Sequence, residues 1–98
     1  VSIVATANAS GGAKFALTGP TLSYLTGQVQ ADGASTTSTT FATVAAGATA
    51  AAVELFAVGI FKPTANGTVQ VQGGQNAAHA SDPVILAGSF LQLEEVLV

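Results

Sequence analysis

Apolar and polar residues alternate with a period of two in two runs near the C-terminus, separated by a short polar connector. In the first run Val69 and Val71 face one way and Gln70 and Gln72 the other. In the second, Phe90, Gln92 and Glu94 alternate with Leu91, Leu93 and Glu95. Such alternation belongs to strands with one buried face, so residues 67–96 read as the closing edge of a β-sandwich. A central strand over residues 53–61 is different, because it is apolar on both faces. Val53, Leu55, Ala57 and Phe61 share one side, and Phe56, Val58 and Ile60 share the other. A two-sheet sandwich wets one face of each strand, whereas a doubly apolar strand calls for burial on both. The outer set is therefore expected to meet another subunit.

Upstream, the punctuation is that of strands and turns. Residues 1–7 read as a strand, residues 8–12 (NASGG) as a turn, and residues 13–18 as a second strand in which Phe15 and Leu17 share a face. Gly and Asn supply the backbone angles a reversal needs, and Gly19-Pro20 ends the second strand because proline offers no donor to a ladder. Residues 22–25 form a short strand or a loop that positions Tyr24. Residues 27–40 are polar, with Asp32-Gly33 as a turn signal. They read as a loop leading into an edge strand centred on Phe41, with a mobile polar loop as the alternative. The Ala-rich stretch 42–52 allows a short helix over residues 45–55, weakened by Gly47, Thr43 and Thr49; in a sandwich it is the turn before the central strand. Asn66-Gly67 predicts a hairpin turn into the strand at residues 67–72. The expected fold is all-β, an antiparallel β-sandwich.

Composition changes this picture in one respect. The 98 residues can bury a single core, and only 7% of them are charged, against about a quarter in ordinary soluble domains. A surface so poor in charge favours coverage by further copies of the chain. The net charge of −3, with Lys14 and Lys62 the only basic side chains, lacks the electrostatic footprint of a nucleic-acid binder. Without cysteine there is neither a disulfide framework nor a thiolate metal site. No apolar run approaches the roughly 20 residues of a membrane span. The chain starts at Val1 without an initiator Met, which reads as a processed product or part of a longer polypeptide.

No constellation carries chemistry, so neither an enzyme nor a cofactor is expected. His79 lies near Asp82 in the polar connector, and one histidine with one carboxylate is too few ligands for zinc unless three copies meet on an axis; it reads as a surface loop residue. Ser81 and Ser89 are not placed against it as nucleophiles. Glu94 and Glu95 are adjacent, so on a strand they point to opposite faces and cannot act as an acid/base couple. Glu54 opens the central strand, either as an exposed strand end or paired with Lys62 or Lys14. Gly73-Gly74 lacks the lysine and helix of a phosphate loop. Asn8-Ala9-Ser10 and Asn66-Gly67-Thr68 match the glycosylation pattern, though turn chemistry explains both. The Ser/Thr run at residues 35–40, with Tyr24, suggests a shallow carbohydrate-binding surface.

The wording of three segments adds a resemblance. Residues 67–96, GTVQVQGGQNAAHASDPVILAGSFLQLEEV, resemble a C-terminal signature of tailed-phage structural proteins: a Gly-Thr strand, a Gln-Asn corner, then an Ala-Gly-Ser-aromatic strand. KFALTGP at residues 14–20 is similar to that family's earlier strand, and VELFAVGIFK at residues 53–62 sits where it has its long central strand. The family usually carries an aromatic residue where this chain has Gly73. The resemblance implies a jelly-roll or C1q-like module that forms homotrimers on the surface of a virion, as a capsid decoration, a tail fibre or a knob. It also implies that further strands normally lie upstream, supplied here by an unseen segment or a neighbour. The partners expected are other copies of the chain, other virion proteins and, for a receptor-binding tip, a host surface glycan. Phe15, Leu17, Phe56, Val58, Ile60, Phe61, Val69, Val71, Phe90, Leu91 and Leu93 are the candidate core or interface residues. Removal of Phe56 or Phe90 is expected to cost about 3 to 5 kcal/mol.

Overall fold

The computed structural model describes residues 1–95 of the chain. Val96, the last residue of the predicted closing segment, lies outside them. Among the described residues eight strands run in chain order: β1 (Ser2–Thr6), β2 (Ala13–Thr18), β3 (Leu22–Ala31), β4 (Ala34–Ser38), β5 (Ala45–Ala48), β6 (Ala52–Pro63), β7 (Gln70–Gly74) and β8 (Val84–Ile85). They form two antiparallel sheets, one of five strands in the order β4-β3-β6-β1-β8 and one of three in the order β5-β2-β7. The chain is thus the all-β antiparallel sandwich that the period-2 pattern predicts.

The core is built from alternate residues of facing strands. Ile3 and Ala5 of β1, Leu25 and Val29 of β3, and Val53, Leu55 and Ala57 of β6 point inward from the larger sheet. They meet Ala13, Phe15 and Leu17 of β2 and Ala46 of β5. Burying each larger side chain stabilises the fold by roughly 1.5 to 3 kcal/mol. Small residues have a place in this layer too. A Cβ on Gly73 would stand 2.5 Å from Cδ1 of Phe15, so the position opposite Phe15 in the ladder must lack a side chain for the ring to lie flat.

Several local expectations give way to longer-range pairing. Residues 22–25 are neither a short strand nor a loop but the start of the ten-residue β3. The polar stretch after Gly27 is not a loop: it completes β3 and, through a tight turn, forms β4. Asp32 (φ 50°) and Gly33 (φ 85°) both lie in the left-handed region, the conformation of a two-residue type I′ hairpin. The edge strand is therefore centred before Phe41, which is buried in a 3-10 turn, Phe41–Thr43. No helix forms over residues 45–55; Ala45–Ala48 pairs with β2 as β5, because small side chains let this edge close onto the core. Asn66-Gly67 is not a hairpin turn either. β6 and β7 lie in different sheets, so the segment is a crossover, and Gly67 packs against Pro20, with a Cβ at 67 only 2.7 Å from that of Pro20. Among the described residues the closing strand reduces to one bridge, Ser2 to Phe90, while a short β8 within the connector pairs with β1.

Candidate functional site

The outer face of the five-stranded sheet collects the side chains that the core does not use. Directly paired residues project from the same face, so the register defines rows across it. One row runs Ser35, Gln30, Phe56, Ser2, Phe90. Parallel rows place Thr37 and Gln28 beside Val58, Thr26 beside Ile60, and Tyr24 beside Lys62. The result is a face in two halves. β3 and β4 carry a polar ladder in which the Gln28 amide Nε2 donates to Thr37 Oγ1 at 3.0 Å. β6 carries an apolar stripe, with Phe56 49%, Val58 64% and Ile60 51% exposed.

The predicted residues divide accordingly. Phe15 and Leu17 are buried in the core. Phe61, Val69, Val71 and Leu91 are half-buried and pack against it; the Phe61 ring meets Phe41 edge to face, with centroids 5.0 Å apart. Phe56, Val58, Ile60, Phe90 and Leu93 are exposed. For Phe56 and Phe90 the expected loss of 3 to 5 kcal/mol on truncation does not hold in a single chain, because roughly half of each side chain is already in water.

The candidate chemical groups are used structurally. His79 is half-buried rather than a free surface residue. Its N–H donates to Gln75 Oε1 at 3.2 Å, and its Nδ1 accepts from the Ser81 N–H at 3.0 Å. Gln75 Nε2 in turn donates to the carbonyls of His79 and Ser81. With Nδ1 occupied by a backbone amide, the ring cannot serve Ser81 as a base through that atom. Ser89 Oγ accepts from the Val4 N–H at 3.1 Å and ties the C-terminal segment to β1. Glu54 is an exposed strand end: Lys62 lies eight residues further along β6, about 26 Å away at strand rise, and Lys14 belongs to the other sheet. Its N–H donates to Asp32 Oδ1 at 3.2 Å. Among the described residues no group of three potential metal ligands occurs, and no helix is long and apolar enough to cross a membrane.

Sequence reasoning missed a cleft at one end of the sandwich. Beyond β1, a cavity of about 490 Å³ opens between β6 and the C-terminal segment, reaching core residues Leu17, Leu25, Phe41 and Val44. Gly27 and Gly59 pair there, with the two strands so close that a Cβ on Gly59 would stand 2.5 Å from the Thr26 carbonyl oxygen, so this pair puts no side chain over the cleft. The paired glycines were the available signal. No family model, curated protein or solved structure matches the chain.

Proposed function

We propose that the protein is a non-enzymatic structural component of a bacteriophage virion, a capsid decoration or tail-fibre/knob module, which works by homotrimeric assembly. The observation that carries this reading is the exposed stripe Phe56, Val58 and Ile60 on a strand whose other face is core. Large exposed apolar groups gathered on one face favour a protein contact, and with 7% charged residues little surface charge opposes it. The resemblance of residues 67–96 to phage structural proteins supplies the setting. The test is the native mass across dilution, for the wild-type chain and for Val58→Lys with Ile60→Lys. The proposal expects a trimer that the double variant reduces to a folded monomer; a wild-type chain that stays monomeric at every concentration overturns it.

A second reading, a glycan-binding tip for host attachment, is favoured by Tyr24, 54% exposed at the end of the uncharged Gln/Thr/Ser ladder. An exposed aromatic ring beside hydroxyl and amide groups suits stacking and hydrogen bonding to a sugar. Slowed amide exchange across residues 28–40 on adding neutral host-surface oligosaccharides, abolished by Tyr24→Ala, supports it; unchanged exchange rejects it.

A further inference from the structure

Asn66 and Gly67 lie in the crossover from β6 to β7, and both are exposed. Neither has the positive φ of a type I′ hairpin. Among the described residues neither the Gly67 N–H nor the Asn66 side-chain amide has a hydrogen-bond partner. The other two asparagines of the chain, Asn8 and Asn76, are held. Asn8 Oδ1 accepts from the Ser10 N–H at 2.8 Å. Asn76 Nδ2 donates to Thr49 Oγ1 at 3.0 Å, and the N–H that follows it, that of Ala77, donates to the Gly11 carbonyl at 2.8 Å.

Asparagine is among the thermolabile side chains, because the backbone nitrogen of the next residue can attack its amide when that nitrogen is unbonded and uncrowded. Gly67 meets both conditions, having no Cβ to screen its nitrogen. The packing itself calls for glycine there, since a Cβ at 67 would stand 2.7 Å from that of Pro20. The residue that makes Asn66 reactive is therefore set by the fold rather than by a turn.

We infer that Asn66 is a site of self-modification, at which the Gly67 nitrogen closes on the side-chain amide and converts it to aspartate and isoaspartate, the latter loosening the β6–β7 crossover. Base removes the Gly67 N–H proton, the nitrogen bonds to Asn66 Cγ, and the Cγ–Nδ2 bond breaks. Nδ2 takes up a proton and leaves as ammonia, giving a succinimide that one water then opens. Cleavage between Gly67 N and Asn66 Cγ gives aspartate. Cleavage between Gly67 N and the Asn66 backbone carbonyl carbon leaves the chain running through Cγ, as isoaspartate. Either product adds a negative charge to the net −3 of the chain.

Isoaspartate also adds one carbon to the backbone, about 1.5 Å of path, between points the fold has fastened. Before the site, Thr64 N and Oγ1 both donate to the Thr21 carbonyl, at 2.9 and 3.1 Å. After it, Gly67 packs on Pro20, and Gln70 pairs with Thr18 at the start of β7. The longer path pushes Gly67 off Pro20 and strains the Thr64–Thr21 bonds, whereas aspartate leaves the path unchanged.

The test incubates the folded protein at mildly alkaline pH beside acetyl-PTANGTVQ-amide, the peptide of residues 63–70. Peptide mass and isoaspartyl methyltransferase labelling follow each asparagine. The inference expects Asn66 to convert in the folded protein within about tenfold of the peptide's rate, while Asn8 and Asn76 stay intact over that time. Conversion of Asn66 slowed more than about tenfold relative to the peptide overturns it, because the crossover then shields the amide. Earlier conversion of Asn8 or Asn76 overturns it as well. The purified isoaspartyl form is then set beside Asn66→Asp, which has the new charge without the added carbon. Faster amide exchange at Thr64 is expected for the isoaspartyl form alone, and equal exchange in the two overturns the loosening of the crossover. No readout here involves self-association, so the trimer stands or falls separately.

Discussion

Phe15 lies against Gly73 across the β2–β7 ladder so closely that a Cβ at 73 would fall 2.5 Å from its ring. Phe15 is 3% exposed, so it has no room to withdraw. Gly73→Ala is expected to destabilise the fold by about 1 to 3 kcal/mol through overpacking, and Phe15→Ala by about 3 to 5 kcal/mol through the cavity it leaves. In the double variant the new methyl enters that cavity, so the combined loss falls below the sum. Urea denaturation of the four proteins measures the coupling, and additive losses would refute the contact.

Neighbouring residues on β6 separate stability from assembly. Leu55, 1% exposed, is core, whereas Phe56 is 49% exposed on the outer face. Leu55→Ala is expected to cost about 2 to 5 kcal/mol in the monomer. Phe56→Ser is expected to cost the monomer about 1 kcal/mol or less while weakening self-association. Denaturation midpoints at low concentration, set beside native mass at high concentration, distinguish the two effects.

The β3–β4 turn isolates backbone conformation from packing. Gly33 has φ 85° with no atom within 4 Å of an added Cβ, so Gly33→Ala meets no clash and pays only for the left-handed backbone, about 1 to 2 kcal/mol. Asp32→Ala additionally loses the acceptor of the Glu54 N–H. Both losses should appear in equilibrium unfolding, with amide exchange at Glu54 faster only in the Asp32 variant.

The connector between β7 and β8 depends on Gln75. Its side chain bonds the backbone of both His79 and Ser81, so Gln75→Leu leaves those groups without partners and should cost about 1 to 3 kcal/mol. Faster exchange at His79 and Ala77, whose N–H donates to the Gly11 carbonyl, is the local signature.

The strands and their buried faces were legible wherever the signal was local. Phe15 and Leu17, the inward set Val53, Leu55 and Ala57, the turn at Asp32-Gly33 and the stop at Gly19-Pro20 follow from side-chain period and turn chemistry, which neighbouring residues alone determine. The apolar outer stripe of β6 was equally readable, because three alternate large residues have no other explanation in a strand. Sheet membership was not. Asn66-Gly67 has the chemistry of a hairpin but crosses between sheets, the Ala-rich segment reads as a turn or a short helix yet pairs with β2 at Phe15, and among the described residues Phe90 opens no strand beyond one bridge. Each of these depends on which distant strand offers hydrogen bonds and space, a choice made by the assembled sandwich.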